Sequence, residues 1–294
     1  MNGITDDNAP LFIVSAERSG STLLRYVLDT QDDIGSPGEI GLGQLCSILM
    51  RVLFQLRPPS PDLVMPRSDD EICCEVRQLI SCMMSSYLQR VHKRIWCEKT
   101  PLNLRFISNI NCIFPTARYI CLYRSCLDYT ASCLEATRFG LTSGLQPYAF
   151  RFPENFVRAM VESWAEKTEA ILAVEKEWPA RSFRIRYEDF VCNAESELGR
   201  LCEFLNLPWT PEILSKVFMV SHYSGGGDYK IRSEQAIHQR SIGTGKNLPL
   251  QAIPPGTLHR INQLLDILQY PIIQAGDAME GGRNSGMNAV SVPG

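Results

Sequence analysis

Several things are missing from this chain of 294 residues, and each absence narrows what it can be. No run reaches the roughly 18 consecutive apolar residues that a membrane-spanning helix needs. There is no basic excess: 29 Lys and Arg against 32 Asp and Glu leave a formal charge of −3. That excludes broad, sequence-independent binding of nucleic acid, which requires a basic face. It leaves room for one small polyanion held by a few local cations. Histidine is scarce, four residues in all, and the eleven cysteines include no C-x-x-C pair, so no metal centre is expected. The amino terminus, MNGITDDNAP, carries two acids and no apolar stretch, so it does not read as a signal peptide. Cys46, Cys82, Cys121, Cys126, Cys133 and Cys202 lie in apolar segments. They are expected as reduced core residues of a cytoplasmic protein.

What is present reads as an ordinary globular chain, 45% apolar and 21% charged, with material for a sizeable core. LFIVS (11–15), RIWCEK (94–99), RYICLYR (118–124) and SFRIRYEDF (182–190) read as strands. Helical spacing follows each of them: Leu23, Leu24, Val27 and Leu28 share one face after the first, and helices are expected over about 39–56, 69–93, 102–113, 125–137, 154–177, 193–206, 210–219 and 255–268. Strands alternating with helices predict an α/β fold, a P-loop-type parallel sheet flanked by helices on both faces. RPPSPDLVMP (57–66) reads as a surface loop. The segment 138–154, with its glycines, prolines and aromatic residues, reads as a mobile loop. No internal repeat or linker divides the chain, so a single domain over 1–276 is expected, followed by a disordered tail, 277–294.

The stretch FIVSAERSGSTLL (12–24) joins a strand to a helix through a tight polar turn. Such a turn is an anion site: the first helical N–H groups have no partner within the helix, and the helix dipole is positive there. Gly20 lets the backbone come close to a ligand, Ser19, Ser21 and Thr22 supply hydroxyls, and Arg18 supplies a planar cation. The loop lacks the lysine and the spacing of G-x-x-x-x-G-K-[ST], so it suits an anion with no γ-phosphate and no magnesium. The plain alternative is that Ser19 or Ser21 caps a core helix and Arg18 is solvated.

AERSGSTLLRYVLDT resembles the 5'-phosphosulfate loop of sulfotransferases that use 3'-phosphoadenosine 5'-phosphosulfate (PAPS). Glu17 stands where that family usually has proline. YICLYRSCLDYTAS is similar to the family's 3'-phosphate element, a strand ending in arginine with a serine eight residues on, here Arg124 and Ser132. Ser125-Cys126 replaces the usual Asp-Pro. RIRYEDFVCNAESELGRLCEFLNLPW resembles the third element and implies Tyr187 near the nucleotide. GDYKIRSEQAIHQRSIGTGKNLP resembles the C-terminal loop that covers PAPS in stand-alone bacterial sulfotransferases, offering Arg240, Gly243, Gly245 and Lys246. In one further respect the residues agree on their own. PAPS needs two anion sites, and Arg18 and Arg124 each follow the end of an expected parallel strand, where ligands bind in open α/β sheets. Read alone, Arg124 is also compatible with a surface arginine at a strand end.

The resemblance implies sulfuryl transfer to a small-molecule acceptor, with release of PAP (3'-phosphoadenosine 5'-phosphate) and no metal. None of the four histidines, His92, His222, His238 and His259, sits in a motif expected of a histidine base. The branch similar to tyrosylprotein sulfotransferases uses a glutamate instead, and SPGEIGLGQL places Glu39 at that spacing, 21 positions beyond Arg18. WCEKTP supplies the same branch's lysine as Lys99, implied to stabilise the departing phosphate, while Arg18 steadies the sulfonate. Plainer readings stand beside these: Glu39 as a helix-start glutamate favoured by the dipole, and Lys99 as an ordinary ion pair with Glu98. For function, a P-loop kinase and an inactive nucleotide-binding module are the alternatives. For the acceptor, a secondary metabolite such as an alkaloid or toxin, sulfated on oxygen or nitrogen, stands ahead of a lipid, glycan or carrier-bound acyl chain.

Overall fold

The structure, a computed structural model, describes residues 9–56, 68–223, 231 and 233–274. The expected loop 57–66 and the tail from 277 lie outside the described residues. The described residues within 1–124 and 167–239 form one compact unit, and those within 125–166 and 240–294 form another.

The first unit is built on five parallel strands: β1 (Leu11–Ser15), β2 (Ile34–Gly35), β3 (Ile95–Glu98), β4 (Arg118–Tyr123) and β5 (Ser182–Arg186), in the order β2-β3-β1-β4-β5. Every residue of β1 is buried, as a central parallel strand demands. Phe12 on β1 packs edge-on against Trp96 of β3, with ring centroids 5.4 Å apart, and near Phe114 and Tyr119. The helices α1 (Ser21–Thr30), α2 (Leu42–Gln55), α3 (Asp69–Val91) and α4 (Ile107–Ile113) belong to this unit. So do α8 (Tyr187–Cys192), α9 (Ala194–Leu205) and α10 (Glu212–Lys216). Ser68 opens α3 with a reciprocal capping box to Glu71, and three acids occupy its first turn.

The second unit holds α5 (Cys126–Ala136), α6 (Gln146–Arg151) and α11 (Pro255–Ile267), while α7 (Phe156–Glu177) contributes residues to both. Within this unit Glu162 accepts from Thr257 Oγ1 at 2.7 Å and Arg260 Nη1 at 2.9 Å. The Tyr129 and Ser163 hydroxyls are hydrogen-bonded at 3.0 Å.

The expected α/β class is what the fold has: a parallel sheet flanked by helices. Several details differ. The segment 182–190 is not one strand, because β5 stops at Arg186 and Tyr187 begins a helix whose first turn holds two acids. The segment 138–154 is not a plain loop: it contains α6, which buries Tyr148 and Ala149. The helix expected from 39 begins at Leu42, after a left-handed Gly41 (φ 65°). The cysteines are not all reduced core residues either. Cys73 of α3 is disulfide-bonded to Cys112 of α4, and Cys82 is exposed. The bond is legible only in three dimensions, since α3 is amphipathic and Cys73 sits on its buried side. Among the described residues no helix is long and apolar enough to cross a membrane.

The disulfide spans 39 residues of sequence, a loop whose closure removes about 4 kcal/mol of chain entropy from the unfolded state. Reduction, or Cys112→Ser, is therefore expected to lower the urea-unfolding free energy by up to that amount. A digest of non-reduced protein is expected to yield one cross-linked peptide pair containing 73 and 112. Equal stability in both redox states would refute the assignment.

Candidate functional site

The carboxyl ends of parallel strands are where open α/β sheets bind ligands. In the first unit, all five ends carry a residue singled out in the sequence. β1 leads to Arg18–Thr22, β2 to Glu39, β3 to Lys99, β4 to Arg124 and β5 to Tyr187.

The loop after β1 is sharply turned. Arg18 (φ 61°) and Gly20 (φ 87°) both adopt left-handed backbone, which is uncommon for a side-chain-bearing residue and marks a site held against its preference. Gly20 is the N-cap of α1, and no side chain caps that helix. The capping reading of Ser19 and Ser21 therefore fails. Ser19, Ser21 and Thr22 are buried and Arg18 is half-buried. Glu17, in the usual proline position, forms an ion pair with Lys167.

Tyr187 closes the loop from the far side. A Cβ at Gly20 would overlap its ring, so only glycine admits this approach. The Arg124 guanidinium lies 4.8 Å from the centre of the same ring and donates through Nη1 to the Arg18 carbonyl at 2.6 Å. Arg124 is thus a buried, stacked cation rather than a solvated strand end.

Lys99 is 1% exposed and its Nζ donates to Glu39 Oε1 and, at 3.3 Å, to Thr22 Oγ1. Burial pulls its ammonium below the ordinary lysine value of 10.5, the Glu39 charge and hydrogen bond work the other way, and Arg25 adds to the depression. Glu39 precedes the helix by three residues, so it is not a helix-start glutamate. Glu98 is not the ion-pair partner of Lys99, although its charge adds to the upward pull on the ammonium. Its carboxylate faces the other way, accepting from Thr100 Oγ1 at 2.6 Å, from Ile40 N at 3.4 Å and from Asn103 Nδ2.

Sequence reasoning passed over four residues here. Arg25, 1% exposed, donates to the carbonyls of Ser36 (3.3 Å), Pro37 (3.2 Å) and Tyr223 (2.9 Å), bracing the turn ahead of Glu39. Thr100 Oγ1 and Asn103 Oδ1 accept from Gly41 N (3.1 Å) and Gly43 N (2.9 Å) behind it. The fourth, Asp128, lies in the second unit. For Arg25, Asn103 and Asp128 the sequence signal is a polar residue within an apolar stretch, and Thr100 carries none. His222 is taken up structurally, bonded to Asp29 at 2.6 Å and stacked on Tyr26.

Ser132, Arg240, Gly243, Gly245 and Lys246 belong to the second unit. Ser132 lies half-buried on α5, and Arg240 and Lys246 are exposed. Asp128 on α5 accepts from Gly243 N and Gly245 N, both at 2.8 Å, and from Thr244 Oγ1 at 3.3 Å. A Cβ at Gly245 would strike the Leu127 backbone. Among the described residues no group of three or more His, Cys, Asp or Glu is arranged to hold a metal.

Residues 10–211 match the model of the sulfotransferase family, more than half of the chain, and the chain belongs to that family. It is 24% identical over 220 residues to protein-tyrosine sulfotransferase 1 of Danio rerio, covering 73% of this chain and 58% of that protein. It is 25% identical over 218 residues to an uncharacterized protein of Aquifex aeolicus (strain VF5), covering 70% of this chain and 26% of that one. The aligned part thus spans only about a quarter to three-fifths of these relatives' lengths. The fold is similar to the sulfotransferase domain from the curacin biosynthetic pathway, with TM-score 0.63, 21% identity, and coverage of 90% of this chain and 99% of that one. It is also similar to the sulfotransferase domain of the Synechococcus PCC 7002 olefin synthase, with TM-score 0.62, 20% identity, and coverage of 90% and 96%.

The Gly20–Tyr187 contact predicts a coupled pair. Gly20→Ala is expected to cost upward of about 1 kcal/mol in urea unfolding, and visibly less in a Tyr187→Leu background. Equal costs in both backgrounds would show that the ring does not police position 20.

Lys99 predicts a pH slope. With its folded pKa below 10.5, the unfolded chain binds more protons in the window beneath 10.5, so its contribution to stability rises with pH there. The unfolding free energy of wild type relative to Lys99→Met is therefore expected to grow as pH approaches 10.5. A difference that shrinks over that window would contradict it.

Proposed function

We propose that this chain is a PAPS-dependent sulfotransferase that moves a sulfuryl group to a small-molecule acceptor. The observation that carries the reading is Lys99, one buried cation bonded to Glu39 and to Thr22 of the anion loop. In the proposed reaction the acceptor oxygen attacks sulfur in line. The new S–O bond forms as the bond from sulfur to the bridging phosphate oxygen breaks, and PAP leaves. Glu39 takes the acceptor proton, Lys99 meets the charge growing on the bridging oxygen, and Arg18 steadies the sulfonate. Ser19, Gly20, Ser21 and Thr22 hold the 5'-phosphosulfate, Arg124 holds the 3'-phosphate, and Tyr187 lies along the nucleotide. Ser132, Arg240, Gly243, Gly245 and Lys246 are further donor contacts on the resemblance alone. No metal is needed in this reading.

For the acceptor we keep a hydroxyl, or a nitrogen, of a secondary metabolite such as an alkaloid or toxin. One observation favours the second reading, a lipid or carrier-bound acyl chain over a glycan. Ile40 beside Glu39, and Ile48, Val52 and Leu56 at four-residue spacing from the same stretch, are exposed apolar side chains, an apt bed for an apolar acceptor body. A cytoplasmic setting belongs to the same proposal, with the Cys73–Cys112 bond counting against it. A kinase is disfavoured by the loop without lysine and by β4 leading to Arg124 where a Walker-B strand carries aspartate. An inactive binding module has no use for the Glu39–Lys99 pair.

Calorimetry with PAP in the presence of a chelator tests the donor site. Wild type is expected to bind, and Arg124→Ala to bind at least tenfold more weakly, about 1.4 kcal/mol. Glu39→Gln is expected to keep PAP affinity within about threefold. Its PAP release from PAPS, with phenolic and aliphatic alcohols as acceptors, should fall by roughly a hundredfold or more. Binding of ATP with magnesium, and none of PAP, would overturn the reading.

A further inference from the structure

We propose that Glu98 is a positioning residue: through Thr100 and Asn103 it clamps the backbone of residues 40–43 and so fixes where the Glu39 carboxylate stands. The inference rests on the reading of Glu39 as the base. The geometry is a closed network within one unit. Glu98 is fully buried at the end of β3. Its Oε1 accepts from the Thr100 hydroxyl at 2.6 Å and from the Ile40 amide at 3.4 Å, and its Oε2 accepts from Asn103 Nδ2. Thr100 Oγ1 in turn accepts from the Gly41 amide at 3.1 Å, and Asn103 Oδ1 from the Gly43 amide at 2.9 Å. Three backbone N–H groups just beyond Glu39 thus converge, directly or through one side chain, on a single carboxylate.

Those amides need such an acceptor. Ile40, Gly41 and Gly43 lie at or before the start of α2, where N–H groups have no partner within the helix, and Gly41 adopts left-handed backbone with no side-chain cap. Gly43 is packed tightly, its notional Cβ 2.9 Å from both Asn103 Oδ1 and Phe106 Cβ, so the amide cannot drift toward water. On the upstream side, Arg25 holds the carbonyls of Ser36 and Pro37. Glu39 therefore hangs between a buried cation that gathers carbonyls and a buried carboxylate that gathers donors. A general base misplaced by about 1 Å loses much of its advantage, so the burial of an acid is put to use in alignment.

The hydrogen-bond pattern supplies its own test. Glu98→Gln keeps the oxygen facing Thr100 and Ile40 but sets an amide N–H₂ against the Asn103 N–H₂, two donors face to face. Adding Asn103→Asp restores a donor–acceptor pair while leaving an oxygen for Gly43. The readouts are amide hydrogen exchange at 40, 41 and 43, and the carboxyl-carbon NMR resonance of Glu39, with exchange in β1 as the control. In Glu98→Gln, exchange at the three amides is expected to rise at least tenfold over any rise in β1, and the Glu39 resonance to broaden or split. In Glu98→Gln/Asn103→Asp both are expected to return toward wild type. Exchange that rises equally in β1, a Glu39 resonance that does not respond, or a double variant no better than the single one would overturn the clamp. PAP calorimetry on wild type and Glu98→Gln separates the two readings. Absence of wild-type binding defeats the donor assignment alone. Loss of PAP binding only in Glu98→Gln defeats the clamp as a device acting on Glu39 alone, because the network bonds to no residue of Arg18–Thr22 directly and reaches that loop only through Glu39 and Lys99.

Discussion

A buried ammonium dominates the arrangement. Lys99 has almost no exposure, and a charge so placed must be paired and hydrogen-bonded or it costs several kcal/mol. Its partners come from two other strand ends: Glu39 after β2 and Thr22 after β1. Satisfying one cation thus fixes three crossovers at once. The sheet can meet that demand only because β3 lies between β2 and β1, with Ile34 opposite Ile95 and Leu11 opposite Cys97.

The same register protects the site from its most damaging error. Successive strand residues point to opposite faces, so Glu98 and Lys99 emerge at the end of β3 into different surroundings. Lys99 reaches Glu39 and the anion loop. Glu98 reaches Thr100, Asn103 and the Ile40 amide, and burial pushes its carboxyl above the ordinary glutamate value of 4.5 against the pull of those hydrogen bonds. A slip of one residue would exchange the two charges and leave each among the wrong partners. What resists the slip is apolar: Trp96, on the same short strand, is packed against both Phe12 and Phe114. The aromatic core is therefore part of how the polar site is set.

Legibility followed range. β1 and β4 were readable because each is a run of buried apolar residues, and the anion loop because strand, turn and helix start are contiguous. β2 was not readable. Two residues carry no period, and the strand exists through its pairing with β3, 61 positions away. Glu39 and Lys99 are legible only separately, each through resemblance, since nothing within either stretch tells that the side chains touch. Asp128 was passed over because its partners, Gly243 and Gly245, are 115 and 117 residues distant. The disulfide was passed over for a related reason: a cysteine on the apolar side of a helix reads alike whether reduced or bonded to a second helix.

The missing loop lysine now has a physical account. A lysine inside the loop, as nucleotide triphosphatases have, moves with the loop backbone and serves phosphate alone. Here the cation sits on a neighbouring strand, bonded at once to the loop hydroxyl and to the carboxylate proposed as base. One contact then does two things. It holds the Glu39 carboxylate at a defined place, and it ties that carboxylate to the anion loop that a donor would occupy. In the proposed reaction an incoming phosphosulfate would compete with Glu39 for the Lys99 ammonium, and each hydrogen bond it took would loosen the carboxylate for an acceptor proton. The base would then be freed in proportion as the donor is bound, an order of events that a lysine within the loop has no means to impose.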